Sequence, residues 1–522
     1  MEKVFSKFAF KFALSMKIYT SEDIRAIYRR TIETEGIPSS ELIMRMARGV
    51  ADEIASRWRP NRPMIVFAGP GHNGAETLAV CRILAERGYS PSVYLFNIGG
   101  KRLTHECAVC RDELLKSAGG QIHWTEVTND FNMPVITPQH IVIDGLFGTE
   151  ISAPLQGGFA WMAREINDAK PTVVSIDLPS GLFGDLNPLT VNRDIIHATL
   201  TLTMQVPRIS FFQRDNAELV GEWRTIDIGL NRDVMLTTPT HYHLVEAHEV
   251  KEVLKPRNPF ADKSDFGSAL LITGCYGMMG ASVLAARGAL RGGVGKLTVH
   301  SPQCGYEVLQ SSVPEAMFDA DVNKIVISDM KTAHEYDAVG IGPGIGTNEM
   351  TVNALELFLK TTVNPVVLDA DALNCIASRP TLLREVPVNS IITPHAAEFD
   401  RLFGECHSDD ARLIKALEKA KEHHIIILLK GHYSALVYPD YRIVFNSTGT
   451  PAMATGGCGD VLTGLITALM AQGYNPGVSG WIGMFVHGLA GEIAAKEHGE
   501  IGVTAGDIAA NIGKAFRQIT GN

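Results

Sequence analysis

A basic excess is the first thing this sequence lacks: 47 lysines and arginines stand against 57 aspartates and glutamates in 522 residues, a formal net charge of −10. A nucleic-acid binder would normally carry a basic surface, so no nucleic-acid partner is expected. Cysteine is scarce, with eight in the whole chain. That is too few for a disulfide framework at this length, and a reducing, cytoplasmic setting fits best. Cys107 and Cys110 form one CxxC without a second pair. A structural zinc site needs four ligands, so these are read as two ordinary thiols on a helix. No apolar run approaches the roughly 20 residues of a membrane-spanning helix, and no membrane partner is expected. The opening MEKVFSKFAFKFALSM is basic and aromatic, but it has no continuous apolar centre and no small-residue cleavage site. It is a poor signal peptide. Residues 1–15 are expected to be a disordered arm or an over-long start, with MKIYTSEDIRAIY the natural beginning. No internal repeat is visible.

What the chain does have is core material, 45% hydrophobic residues, in short apolar runs separated by helix-like segments. In the first half the runs are MIVFAG, SVYLFN, HIVIDGLFG, TVVSIDLPSG, ATLTLTM and GEWRTIDIGL. The second half repeats the alternation with SALLITGCYG, VGKLTVHS, YDAVGIGPG, NPVVLDADALN, SIITPHAAEF, HIIILLKG, SALVYP and YRIVFNSTG, followed by a helical tail. Strands alternating with helices imply mainly parallel sheets covered on both faces. The expected fold class is α/β with two domains, residues 16–230 and 243–522, joined by a linker at 231–242 where the pattern fades. Ligands of such sheets bind at the strands' carboxyl ends, and nearly every unusual cluster here follows an apolar run.

The densest cluster is MATGGCGDVLTG, residues 453–464. Gly456, Gly457 and Gly459 leave backbone N–H groups free to converge, and a helix start adds unpaired donors and partial positive charge. Together these suit a phosphate. Asp460 is itself an anion, so it is better placed to take a proton from an attacking hydroxyl than to bind phosphate. The plain alternative is a helix N-cap. GIGPGIG (340–346) is a Gly-rich loop or a tight turn. Lys430, in LKGHYS, meets a phosphate or only solvent. His395, in TPHAAEF, contacts a substrate or caps a helix. One of Asp369 and Asp371 is expected to cap the next helix.

The order of these pieces resembles the ribokinase-like superfamily. More narrowly, KSDFGSALLITGCYGMMGASVLAARGALRGGVGKLTV, GIGPGIG, DADALN, TPHAAEFDRL, LKG and GGCGDVLTGLI resemble the ADP-dependent NAD(P)H-hydrate dehydratases over about residues 243–520. The resemblance implies repair of NADHX and NADPHX, the hydrates of NADH and NADPH. Their hydroxyl is phosphorylated from ADP, or ATP, with Mg2+ accompanying the nucleotide, and phosphate then leaves. Ala281, Gly346 and His395 fall on the hydrate site. Lys430, Gly431, His432, Tyr433 and Ser434, with Gly456, Gly457, Cys458 and Gly459, fall on the nucleotide site. Asp460 falls on the base, which also touches the hydrate. Cys458 is assigned no chemistry.

Residues 17–230 resemble the NAD(P)H-hydrate epimerases, through AGPGHNGAETLAV, IDGLFGTEISAPLQGG and SIDLPSGL. The resemblance implies a Rossmann-like domain that interconverts the R and S hydrates. Substrate contacts are expected from His72, Asn73, Gly74, Ala75, Glu76, Gly148, Thr149 and the acid Asp177. A K+ would sit on the oxygens of Asn73, Asp144 and Ser180. The chain departs from the family at His72, Ala75, Glu76 and Glu150. The two glutamates add charge or reach near the expected phosphate path and are expected to weaken binding. A homo-oligomer is expected. Two other readings stay open: a dehydratase whose first half is a weak or inactive scaffold, and a small-molecule kinase of the ribokinase-like superfamily.

Overall fold

The computed structural model describes residues 16–521 except 101, 119, 150, 152, 187–193 and 331–334. The expected arm at 1–15 and Glu150 lie outside the described residues. The chain divides into two compact units, Lys17–Thr240 and a second that begins at His241.

The first unit is built on seven strands: β1 (Met64–Ala68), β2 (Ser92–Phe96), β3 (His123–Val127), β4 (Ile141–Gly145), β5 (Thr172–Ile176), β6 (Leu200–Met204) and β7 (Glu222–Ile226). Their order is β3-β2-β1-β4-β5-β6-β7, and every neighbouring pair is parallel. β1 shows why both faces are covered. Met64, Val66 and Ala68 pack into one core with helices α1 (Ser21–Glu35), α2 (Ser39–Arg57) and α3 (His72–Glu86). Ile65 and Phe67, turned the other way by the two-residue pleat, pack into a second core with α4 (Gly157–Ala169). The chain runs outward from β1 to β3 and returns to β4 on the other side of β1. The carboxyl ends of β1 and β4 therefore flank the crevice where such sheets hold ligands.

The division between the units falls inside the stretch 231–242 expected as a linker, and that stretch carries secondary structure. Asn231 Oδ1 accepts the Val234 N–H at 3.1 Å and caps a helix at Arg232–Thr237, and Tyr242 already opens a strand. Helix and strand are too short for their apolar period to show in sequence.

The second unit contains β8 (Tyr242–Val245), β9 (Ser268–Ile272), β10 (Lys296–Ser301), β11 (Met317–Ala320), β12 (Ala338–Ile341), β13 (Val367–Leu368), β14 (Ile391–Ile392), β15 (Ile426–Leu429), β16 (Ala435–Val437) and β17 (Ile443–Asn446). They lie in the order β8-β17-β16-β15-β14-β13-β12-β9-β10-β11. Only β16 runs antiparallel to its neighbours among the described strands of this unit. The switch point falls between β9 and β12. One face carries α5 (Met279–Arg291), α7 (Cys458–Ala471), α8 (Pro476–His498) and α9 (Ala505–Thr520), with α6 (Ala396–Phe403) following β14. Helices α5 and α7 cross at backbone distance. A side chain at Gly288 would run into the Val461 carbonyl, and one at Gly464 into the Ala285 carbonyl. These two glycines fix where the start of α7, with Asp460, meets the sheet edge.

Candidate functional sites

In the second unit the carboxyl ends of β9, β12, β13, β14 and β15 lead directly to Gly274, Gly342, Asp369, His395 and Lys430. Helix α7 begins at Cys458 behind Gly457, which takes a left-handed φ of 91°. Asp460 is therefore the third residue of the helix and not its N-cap. A cavity of about 780 Å³ is lined by His395, Lys430, Gly431, His432, Ser434, Cys458 and Gly459, with Asn446, Thr448, Thr450 and His487. Asp460, Ala281, Gly346, Tyr433, Gly456 and Gly457 are not in its lining, and Asp460 follows the lining residue Gly459. Tyr433 packs edge-on against the His432 ring, with centroids 4.4 Å apart.

A buried charge cluster sits beside Asp460. Lys430 Nζ donates to Asp369 Oδ1 at 2.7 Å and lies 3.6 Å from Glu398 Oε2. Thr463 Oγ1, one turn after Asp460, donates to Asp369 Oδ2 at 2.8 Å. Burial pushes the Lys430 ammonium down, but Asp369, Glu398 and Asp460 outweigh it and its net shift is upward. Burial likewise pushes Asp369 up, and Lys430 with the threonine hydroxyls brings it below its usual range. Asp460 is pushed up to about 7, first by burial and then by Asp369, with Lys430 opposing and Asp371 and Glu398 adding. A carboxylate poised near neutrality suits general-base work.

Neither aspartate of DADALN caps the following helix. The cap is Ala370, at φ 48°, with no side-chain bond. Asp371 accepts the Gly346 N–H at 2.9 Å, which ties the β12 loop to the cluster. Gly346 (φ 70°) and Ala281 on α5 both lie at the β9/β12 switch point, around Met278. His395 closes a capping box with Glu398: its Nδ1 accepts the Glu398 N–H at 3.2 Å, and Glu398 Oε2 accepts the His395 N–H at 2.8 Å. Sequence reasoning missed Thr463, Glu398 and His487. The i,i+3 spacing of Asp460 and Thr463 is the signal that would have found one of them. His487 is buried and is pushed down to about 4 by desolvation, so it is neutral at pH 7.

The first unit has its own cavity, of about 590 Å³, lined by His72, Asn73, Glu76, Gly148, Thr149 and Asp177 together with Tyr28 and Arg208. The first six follow β1, β4 and β5, while Tyr28 lies on α1 and Arg208 follows β6. Gly74 and Ala75 lie behind the lining. A side chain at Gly74 would strike the Gly69 carbonyl, so this glycine seats α3 against the strand end. Asp177 takes φ 68° and is ion-paired at 2.6 Å to Arg208, which is 2% exposed. Thr149 N–H donates to Asp177 Oδ2 at 3.3 Å. Glu76, 4% exposed, has His72 Nε2 at 3.4 Å and the Tyr28 phenol as hydrogen-bond partner. Burial, Glu76 and Asp177 hold Tyr28 well above its ordinary range, with Arg208 opposing.

Asp144 and Ser180 lie deeper. The Ser180 N–H and hydroxyl donate to Asp144 at 2.8 and 2.5 Å, and Phe147 N–H donates to Ser180 Oγ at 3.1 Å. Asn73 Nδ2 donates to the Phe147 carbonyl at 2.8 Å, while its buried Oδ1 has no hydrogen-bond partner among the described residues. Burial pushes Asp144 up, opposed by bonds from Ser180, Ser175 and Leu146.

A family model described as NAD(P)H-hydrate dehydratase matches residues 269–514, and one described as YjeF-related protein N-terminus matches 39–210. The bifunctional NAD(P)H-hydrate repair enzyme Nnr of Moorella thermoacetica is 30% identical over 512 residues, covering 94% of this chain and 95% of that one. Its Escherichia coli namesake is 28% identical over 499 residues, covering 94% and 92%. The ADP/ATP-dependent NAD(P)H-hydrate dehydratase from Bacillus subtilis, co-crystallized with ATP/Mg2+, aligns with a TM-score of 0.46 and 29% identity over 52% of this chain and 97% of that one. Fold and cavities define a two-unit α/β enzyme with a site at the carboxyl edge of each parallel sheet. The chain belongs to the family of bifunctional NAD(P)H-hydrate repair enzymes. The small-molecule kinase reading falls away with that assignment.

Proposed function

We propose that the second unit dehydrates the S hydrate of NADH or NADPH at the expense of ADP, and that the first unit converts the R hydrate to the S form. The observation that carries this is Asp460, pushed up to about 7 beside the Lys430–Asp369 pair, at a glycine-flanked helix start bordering a large cavity. Asp460 takes the proton of the hydrate hydroxyl as that oxygen attacks the terminal phosphorus of ADP. The backbone N–H groups at the start of α7 and the Lys430 ammonium hold the transferring phosphoryl oxygens. AMP is released. Breaking the C–O bond then expels phosphate, and loss of a neighbouring ring proton restores the double bond.

Among the described residues no three His, Cys, Asp or Glu side chains group as a metal site. A Mg2+ would be carried on the nucleotide phosphates, where it would neutralise developing charge. In the first unit the unpartnered Asn73 Oδ1 and the Asp144–Ser180 oxygens make an all-oxygen donor set that suits K+. They would hold the ion next to the Phe147 peptide, where it offsets the Asp144 charge. The free thiols of all eight cysteines support a reducing, cytoplasmic location.

The test is the purified chain with each hydrate and with ADP or ATP, followed by return of the reduced-cofactor absorbance. No nucleotide-dependent return from the S hydrate overturns the dehydratase. A second reading, a weak epimerase, is favoured by Glu76 on the wall of the first cavity. There the R hydrate disappears above its spontaneous rate, but with a raised KM. His72→Asn, Ala75→Gly, Glu76→Asp and Glu150→Gly, which bring in the residues the epimerase resemblance implies at these positions, are together expected to lower it. No enhancement at any protein concentration in potassium buffer leaves a scaffold.

A further inference from the structure

Asp369 is fixed from three directions. A side chain at Gly342, after β12, would run into its carbonyl oxygen, so that glycine lets the β13 end close on β12. Its carboxylate takes Lys430 at 2.7 Å from the end of β15 and Thr463 at 2.8 Å from α7. Gly459 completes the contact: a Cβ there would lie 3.3 Å from Lys430 Nζ and 3.5 Å from Asp369 Oδ2. The pair thus presses against the backbone one residue before Asp460. A buried ion pair adds little stability by itself, so its position is the informative feature.

We propose that Asp369 is a positioning residue for phosphoryl transfer: it anchors Lys430 beside the start of α7, and its own charge, set against that of Lys430, fixes the pH at which Asp460 becomes a base. The inference rests on the role of Asp460 given above. The charged groups acting on Asp460 are Asp369 at the β13 end, Lys430 at the β15 end, Asp371 at the head of the next helix and Glu398 on α6, with the Cys458 thiol on its own helix. Asp369 and Lys430 act on it with opposite sign. Removing the aspartate charge makes Asp460 easier to ionise, and removing the lysine charge makes it harder.

The experiment measures dehydratase kcat/KM against pH on the full chain, with ADP saturating. In Asp369→Asn the acid limb moves down by about one pH unit, the low end for loss of a nearby charge. Its plateau falls roughly tenfold as Lys430 loses its anchor. In Lys430→Met the limb of the residual activity moves up by a similar amount. A merely structural Asp369 changes the yield of folded protein and the amplitude but leaves the limb in place. If Asp369→Asn does not fold, the double variant Asp369→Asn/Lys430→Met removes both members of the Lys430–Asp369 pair, and its limb returns downward from that of Lys430→Met alone. Limbs that stay in place, or move the same way in both single variants, overturn the proposal. Full turnover in Asp460→Asn overturns the base itself. A limb that vanishes in Asp460→Asn yet stays put in Asp369→Asn overturns only the role of Asp369.

Discussion

Asp460→Asn tests two consequences of one environment. With Asp460 at about 7, roughly a tenth of it is ionised at pH 6 and roughly nine tenths at pH 8. If it is the base, dehydratase kcat/KM rises about tenfold across that interval, whereas a carboxylate at its ordinary value gives a flat profile. Asparagine removes the limb and lowers turnover by roughly two to four orders of magnitude, the usual range for a lost general base. Stability moves the other way. The folded-state value lies above the unfolded value of 3.8, so the folded chain holds this proton more tightly. The contribution is full below about pH 4, declines as the pH rises, and is gone above about pH 7. The rise of about three units corresponds to about 4 kcal/mol as an upper bound, and the part of the side chain still reached by solvent reduces that to about 1–3 kcal/mol. The variant carries no such charge. Its Tm advantage over the parent therefore grows between pH 5 and pH 8, read on the transition that ADP shifts upward. Activity independent of pH from 6 to 8, or a Tm difference equal at both pH values, refutes the argument.

Other outcomes follow from the same geometry. Gly74→Ala is expected to destabilise the first unit by more than about 2 kcal/mol, because its methyl meets the Gly69 backbone and cannot be accommodated by a side-chain shift. Gly456→Ala has open space around it and is expected to leave Tm unchanged while raising the KM for ADP; a matching loss of Tm would argue against a role in the nucleotide loop. Asp177→Ala is expected to abolish epimerase activity and also to cost about 3–5 kcal/mol, since it strands buried Arg208. Asp177→Ala/Arg208→Met should regain the stability without the activity, and regained activity would remove Asp177 from the reaction. Replacing K+ by tetramethylammonium is expected to lower epimerase turnover and the stability of the first unit. The loss is larger at higher pH, because burial raises Asp144 and its ionisation then draws most on the cation; an effect independent of pH would detach K+ from Asp144.

The sheets were legible in sequence wherever a strand is apolar on both faces, as in MIVFA and IILL. Two edge strands, β3 and β11, were not legible, although the edge strand β7 was. HWTEV, which forms β3, alternates exposed and part-buried over its first four residues, and Tyr242, which opens a four-residue strand, was the last residue of the expected linker. The candidate clusters were visible because each follows a strand, and strand order brings those ends together. What sequence does not carry is the pairing across that edge. Lys430 and Asp369 are 61 residues apart, and Thr463 and Asp369 are 94 apart. Only the fold turns a capping candidate into the anchor of a charge cluster. Glu76 shows the same gap in reverse. Sequence treats it, together with Glu150, as a solvated carboxylate near a phosphate path, a joint effect of about 1–2 kcal/mol in a high dielectric. The fold buries it between His72 and Tyr28, where an unbalanced charge acts through a lower dielectric and is screened less by salt. The hydrogen bond from the Tyr28 phenol and the nearby His72 ring answer part of that charge. A phosphate at this wall therefore meets a carboxylate that already has two partners. Glu76→Gln is expected to lower the epimerase KM for the R hydrate by less than about tenfold, and a larger fall would return Glu76 to the role of a fixed repelling charge.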